Sequence, residues 1–179
     1  MSNENVLKYV PANKEDEEAL LQSALAVLRT RLDKAGDKMS PESMKEYLKL
    51  KYGGKFEHEI FGLALLDPMS RLIDTVKLAD GTLTSTALSM REILKAALAV
   101  NAAYVVMFHT HPAQDATPSG PDISMTRRVI KALEPAEIQV LDHMIVAGDK
   151  VESMQDLGVF PNPQEDNIDR LRRVLPFLG

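Results

Sequence analysis

Tyr104-Val-Val-Met-Phe-His-Thr-His111 runs straight into Pro112-Ala-Gln-Asp-Ala-Thr-Pro-Ser-Gly-Pro-Asp122. The first part is rich in β-branched and aromatic residues and predicts a strand; the second reads as a stiff loop that opens a helix. Successive side chains of a strand point to opposite faces. His109 and His111 therefore share one face, where a single cation can reach both. Zinc in a catalytic site takes a third protein ligand and keeps a position for water. Asp122 is the best candidate for that ligand, because Pro112, Pro118 and Pro121 lower the entropy lost in bringing it back to the pair. A second reading of the same residues is helix capping, since Ser119-Gly-Pro-Asp122 is by itself a good N-cap with a first-turn carboxylate. The two roles are compatible.

The rest of the composition narrows the ligand chemistry. The chain has 179 residues, no Cys, no Trp and four His, at positions 58, 109, 111 and 143. That length suits one domain and is too short for a (β/α)₈ barrel, which needs roughly 250 residues. Without cysteine there is no disulfide framework, zinc finger, thiol nucleophile or Cys-ligated deaminase zinc. A transition-metal site must then be built from His and carboxylates. The start of the chain does not resemble a signal peptide, and its longest strongly apolar run, Ile60 to Leu66, is far below the roughly 20 residues that span a bilayer. A soluble, cytoplasmic protein with no membrane partner is expected. The net charge of −5 argues against tight binding of duplex phosphates over the whole surface. Arg127-Arg128-Lys131 and Arg170-Arg172-Arg173 lie on helical patterns and read as solvated faces.

Working outward, Asn13 and Asp16 predict the start of a helix with Ala19, Leu20, Ala24, Leu25, Leu28 and Leu32 at helical spacing. Ser40-Pro41 predicts a second, short helix carrying Met44, Tyr47 and Leu48 and ending at Gly53-Gly54. Ile60-Phe-Gly-Leu-Ala-Leu-Leu66 is apolar on both faces, as in a central strand, and returns through Asp67-Pro68 as an antiparallel partner over 71–79. Ser89-Met-Arg-Glu92 predicts a capping box opening a helix over 90–100, with Ile93, Leu94, Ala97 and Leu98 as its apolar side. A strand over 138–146, a short one near Val151 and a last helix from Asn162 complete the pattern. It is an α/β class domain with a mixed sheet behind a helical N-terminal segment.

Other histidine motifs fail on spacing. A metallo-β-lactamase pattern needs Asp and His where Ala113 and Gln114 stand; a cupin wants Glu where only Asp115 is available. What fits is His109-Thr110-His111-Pro112 followed by Ser119 and Asp122. This block resembles the JAMM (MPN/JAB) metalloprotease signature, whose remaining element is an upstream Glu. The chain further resembles the RadC-like branch at Glu59-Ile-Phe-Gly-Leu-Ala-Leu-Leu-Asp67, Gly81-Thr-Leu-Thr-Ser-Thr86, Arg91-Glu-Ile-Leu-Lys-Ala-Ala-Leu98, Asn101-Ala-Ala103, Thr117-Pro-Ser119 and Leu141-Asp-His143. It departs from the usual RadC reading at Thr110, Ala113 and Gln114, and has Met90 where Pro is usual. None of these removes a ligand; they bear on substrate preference. No helix-hairpin-helix region is recognisable.

The resemblance, which covers roughly residues 40–152, implies an MPN/JAB (cytidine-deaminase-like) mixed sheet flanked by helices over residues 55–152; the helical pattern alone adds a segment over 1–54 and an extension over 153–179, the latter without a family counterpart. The same resemblance implies Zn²⁺ held by His109, His111 and Asp122, with Glu59 as general base and acid and Ser119 as a donor to the developing oxyanion. Glu57, on the same face as Glu59, is the rival base, and capping is the alternative role for Ser119. His143 is either a partner of a ligand or a satisfied core histidine; His58 falls opposite Glu59. The implied activity is cleavage of a peptide or isopeptide bond in a protein or peptide substrate. An accessory role in DNA repair and a non-catalytic MPN scaffold are the alternatives. Nucleic acid as a partner is not supported by the charge, and no residue speaks to oligomeric state.

Overall fold

A computed structural model describes residues 13–35, 38–54, 58–81, 89–113 and 115–161. In chain order the elements are α1 (Lys14–Ala35), α2 (Pro41–Tyr52), β1 (Ile60–Leu66), β2 (Leu72–Asp80), α3 (Met90–Ala99), β3 (Tyr104–Thr110), α4 (Gly120–Leu133), a 3₁₀ turn (Glu134–Ala136), β4 (Gln139–Ala147) and β5 (Lys150–Ser153). The five strands form one sheet in the order β2-β1-β3-β4-β5. All neighbours are antiparallel except β3 and β4, which run parallel and are joined by a crossover containing α4. This is the mixed α/β arrangement expected from the sequence.

The local signals act through identifiable bonds. Asn13 accepts from the Asp16 N–H at 2.9 Å to start α1, and Ser40 accepts from the Ser43 N–H at 3.1 Å to start α2. All of β1 is buried, as its uninterrupted apolar run requires of a strand covered on both faces. Gly62 in β1 faces Phe108 in β3, and a Cβ there would lie 2.3 Å from the Phe108 ring. The missing side chain lets that ring lie across β1 and reach Tyr52, with ring centroids 4.5 Å apart.

Each face of the sheet carries its own core. Phe61, Leu63, Leu65, Val105 and Met107 pack under α3 and α4 with Ile93, Ala97, Met125, Val129 and Leu133. Ala64, Leu66, Val106, Phe108, Met144 and Val146 pack under α2 with Met44, Tyr47, Leu48 and Tyr52. α2 is thus part of the sheet's own packing, while α1 reaches it through Leu21.

Two expectations for α3 are corrected. The Ser89 side chain makes no cap bond; its carbonyl starts the helix instead, accepting from Glu92 and Ile93 at 3.0 and 3.2 Å. Leu98 is 51% exposed, so the apolar side of α3 is Ile93 and Ala97 with Leu94 partly covered. The helix expected from Asn162, the basic cluster at 170–173 and Glu57 lie outside the described residues. Among the described residues, no helix is long and apolar enough to cross a membrane.

Candidate metal centre

The site forms where β3 ends. His109 is the penultimate residue of β3 and 1% exposed; His111 follows the strand and extends its ladder by one bond, from its N–H to the Val146 carbonyl at 2.8 Å. The shared face expected from alternation brings the two Nε2 atoms within 2.8 Å of each other. Asp122, in the first turn of α4, brings its carboxylate oxygens to 3.4 Å from His109 Nε2 and 3.9 Å from His111 Nε2. Ligand atoms of all three residues lie within 4.8 Å of one another.

Asp122 forms the helix cap read from the sequence while its carboxylate also faces His109 and His111. The Ser119 N–H and hydroxyl donate to its Oδ2 at 2.7 and 2.5 Å, and its own N–H donates to Ser119 Oγ at 3.3 Å. This capping box fixes the carboxylate at the helix start, with Oδ1 toward His109. Ser119 is therefore a cap in this structure, its hydroxyl hydrogen engaged by Asp122.

The donor set fits a cation. His111 Nδ1 lies 2.6 Å from the Asp115 carbonyl, which only accepts, so the hydrogen of a neutral His111 sits on Nδ1 and the Nε2 lone pair faces inward. A carboxylate likewise only accepts. Burial, partly opposed by the Asp122 carboxylate and reinforced by His111, holds His109 down to about 4, so at neutral pH this imidazole carries no charge. With these acceptor atoms turned toward one another, the three residues could hold a divalent metal ion, which would satisfy all of them. The Asp115 side chain has a different task, accepting from the Thr117 N–H and hydroxyl at 3.0 and 2.7 Å to shape the loop.

Glu59 is half-buried just before β1. Phe61 pairs with His109, so the antiparallel register carried two residues outward sets Glu59 opposite His111. Two bonds hold this strand end: the Glu59 carbonyl accepts from the Gly81 N–H at 2.8 Å, and the Ile60 N–H donates to the buried Thr110 hydroxyl at 2.8 Å. His58 is exposed, and Arg127, Arg128 and Lys131 lie on the exposed side of α4, as expected of a solvated face.

His143 is buried on β4 and lies against His109. Its Nε2 is 2.8 Å from His109 Nδ1, its Nδ1 is 2.7 Å from the Thr126 hydroxyl, and the Phe61 ring meets it edge-on at 6.2 Å. Burial first, then repulsion from His109 and His111, keeps its pKa well below the ordinary histidine value. Sequence reasoning missed Thr126. The available signal was a hydroxyl among the core positions of α4, between Met125 and Val129.

A His-His-Asp group that could hold a metal ion, at the end of β3, beside a helix start and on a mixed sheet, is consistent with the MPN/JAB fold. The RadC-like JAB domain family matches residues 39–159, and the chain belongs to that family. It is similar to a UPF0758 protein of Vibrio cholerae, 36% identical over 156 residues, covering 87% of this chain and 98% of the relative. A second Vibrio cholerae UPF0758 protein is 38% identical over 144 residues, covering 80% of this chain and 90% of that protein. A Polaromonas sp. UPF0758 protein is 39% identical over 149 residues, covering 83% of this chain and 66% of the relative.

Proposed function

We propose that this protein is a zinc-dependent hydrolase of peptide or isopeptide bonds. The observation that carries the reading is the convergence of His109, His111 and Asp122 on one point within 4.8 Å. A bound zinc ion supplies Lewis acidity, bringing a water's pKa toward neutrality and polarising the scissile carbonyl. The chain's own groups supply the proton traffic. Glu59, across the sheet register from His111, takes the water's proton as the carbonyl carbon is attacked. It then delivers that proton to the departing amine nitrogen. Ser119 turns its hydroxyl from Asp122 Oδ2 to the developing oxyanion; its backbone N–H, 2.7 Å from Oδ2, keeps the carboxylate in place meanwhile.

The test compares the zinc-loaded protein with Glu59→Gln on peptide, isopeptide-linked and nucleic-acid substrates. Wild type is expected to hold about one zinc per chain and cleave an amide-linked substrate, since one three-ligand cluster serves one ion. Glu59→Gln should keep its zinc and lose roughly 10²- to 10⁴-fold in turnover. A wild-type protein that stays metal-free in zinc-replete buffer ends the proposal. Equal turnover by Glu59→Gln would remove Glu59 from the mechanism, and zinc binding without turnover in either protein would leave a metal-holding scaffold instead.

A further inference from the structure

Three observations around β4 combine. In the parallel ladder Val105 pairs with Val140 but Val106 pairs with Asp142, so Leu141 is skipped as a bulge. Side chains alternate, and this one extra residue reverses the alternation beyond it. Without it His143 would point toward α2; with it His143 points to the face of Met107 and His109. The bulge is held by the Asp142 carboxylate, which accepts from the His143 N–H at 2.7 Å, the Gln155 N–H at 3.1 Å and the Ser153 hydroxyl. Gln155 Nε2 closes it by donating to the Leu141 carbonyl at 3.1 Å.

The bulge brings His143 between His109 and Thr126, where hydrogen counting sets a direction. Thr126 Oγ1 is 2.7 Å from the Asp122 carbonyl oxygen and 2.7 Å from His143 Nδ1. A carbonyl has no hydrogen to give, so the single hydroxyl hydrogen goes to it. The other short contact then needs a hydrogen from His143 Nδ1. That leaves a lone pair on His143 Nε2, which at 2.8 Å accepts from His109 Nδ1–H. His109 Nε2, facing His111 and Asp122, is left with its lone pair. Were the relay reversed, His109 Nε2 would carry a hydrogen and could not coordinate an ion.

We infer that His143 and Thr126 are positioning residues that fix the tautomer of His109, presenting Nε2 as a ready metal ligand before any metal arrives. The carbonyl that sets the direction belongs to Asp122, so the third ligand's backbone prepares the first ligand's side chain. This deepens the zinc reading and rests on it only for the identity of the metal.

The experiment has two arms. In metal-free wild type, long-range nitrogen–proton NMR of the imidazoles should find His109 protonated at Nδ1; protonation at Nε2 overturns the inference whether or not zinc binds. Zinc affinity by chelator competition, with Co²⁺ absorption as the geometric readout, is then compared in paired variants. Thr126→Val and His143→Phe remove the relay, whereas Thr126→Ser and His143→Gln retain a donor and acceptor at each point. The first pair should bind about 10- to 100-fold more weakly and the second within about threefold of wild type. Undiminished affinity in Thr126→Val together with an unchanged His109 tautomer refutes it. If Thr126→Val or His143→Phe fails to fold by circular dichroism, the wild-type tautomer and the two conservative variants decide. Loss of affinity in those variants despite a native spectrum also counts against it. A wild type that binds no zinc strikes the hydrolase proposal, while the tautomer measurement still judges the relay.

Discussion

The two faces of the sheet use buried polar groups in different ways. Toward α2, the Thr110 hydroxyl meets the Ile60 N–H, and the Asp142 carboxylate meets the N–H groups of His143 and Gln155. There these side chains tie down backbone, while Tyr47 and Thr75 meet side chain to side chain at 3.3 Å. Toward α3 and α4, His109, His143 and Thr126 bond mainly side chain to side chain, and the line ends at an opening between His111 and Asp122. Most protein side-chain hydrogen bonds go to backbone or water. Buried side-chain pairs occur on both faces, but toward α4 they join into a line of three groups that ends at the candidate metal site, whereas on the α2 side they brace strands and helix against one another.

Substitutions on the two faces should separate stability from metal binding. Phe108→Ala, on the α2 side, removes a fully buried ring from between Gly62 and Tyr52. It should cost about 3–5 kcal/mol in denaturant unfolding while the folded fraction still takes up metal normally. Lost metal binding in that folded fraction would abolish the distinction between faces.

Acid should act mainly on the other face. His109 has a folded pKa of about 4 against an ordinary 6.5, so between those values the unfolded chain takes up protons that the native metal-free protein refuses. Stability should therefore fall as pH drops from about 6.5 to 4, by on the order of 1–3 kcal/mol, read as unfolding midpoints in chelator. Asp142 works in the opposite sense. Burial raises its carboxyl above 3.8 despite three hydrogen bonds, so its contribution grows as pH falls toward that value. A flat profile from 6.5 to 4 would mean that the native imidazoles titrate normally.

The smallest effect sits at the seam. Thr110→Val leaves the buried Ile60 N–H without its acceptor and should cost about 1–2 kcal/mol in thermal unfolding. Because that bond anchors the residue after Glu59, the variant should retain zinc yet lose more turnover than the stability change explains. Unchanged turnover would confine Thr110 to the fold.

The sequence exposed those parts of the site that depend on short-range periodicity. Ile60–Leu66 announced a central strand, and His109, His111 and Asp122 followed from strand alternation plus a stiff loop. Identical local signals still had different outcomes. Ser119-Gly-Pro-Asp122 forms its capping box, whereas Ser89-Met-Arg-Glu92 leaves the Ser89 side chain without a cap bond. Leu141-Asp142-His143 stood out by resemblance, yet its parity on β4 could not be counted from the sequence. The bulge depends on Ser153 and Gln155, which reach Asp142 only once β5 has folded back. Thr126 remained hidden because its importance comes from His143, a strand away.

The crossover between β3 and β4 also sets an order of assembly. His109, His111 and Asp122 fall within one short stretch, so the loop that unites them closes at modest entropic cost. His143 is 34 residues from His109 and arrives only when the parallel pair zips together, the slower kind of strand pairing. The candidate metal site is thus local in sequence, while the group beside His109 is not. A nascent chain can bring His109, His111 and Asp122 together before His143 has arrived to orient the His109 ring.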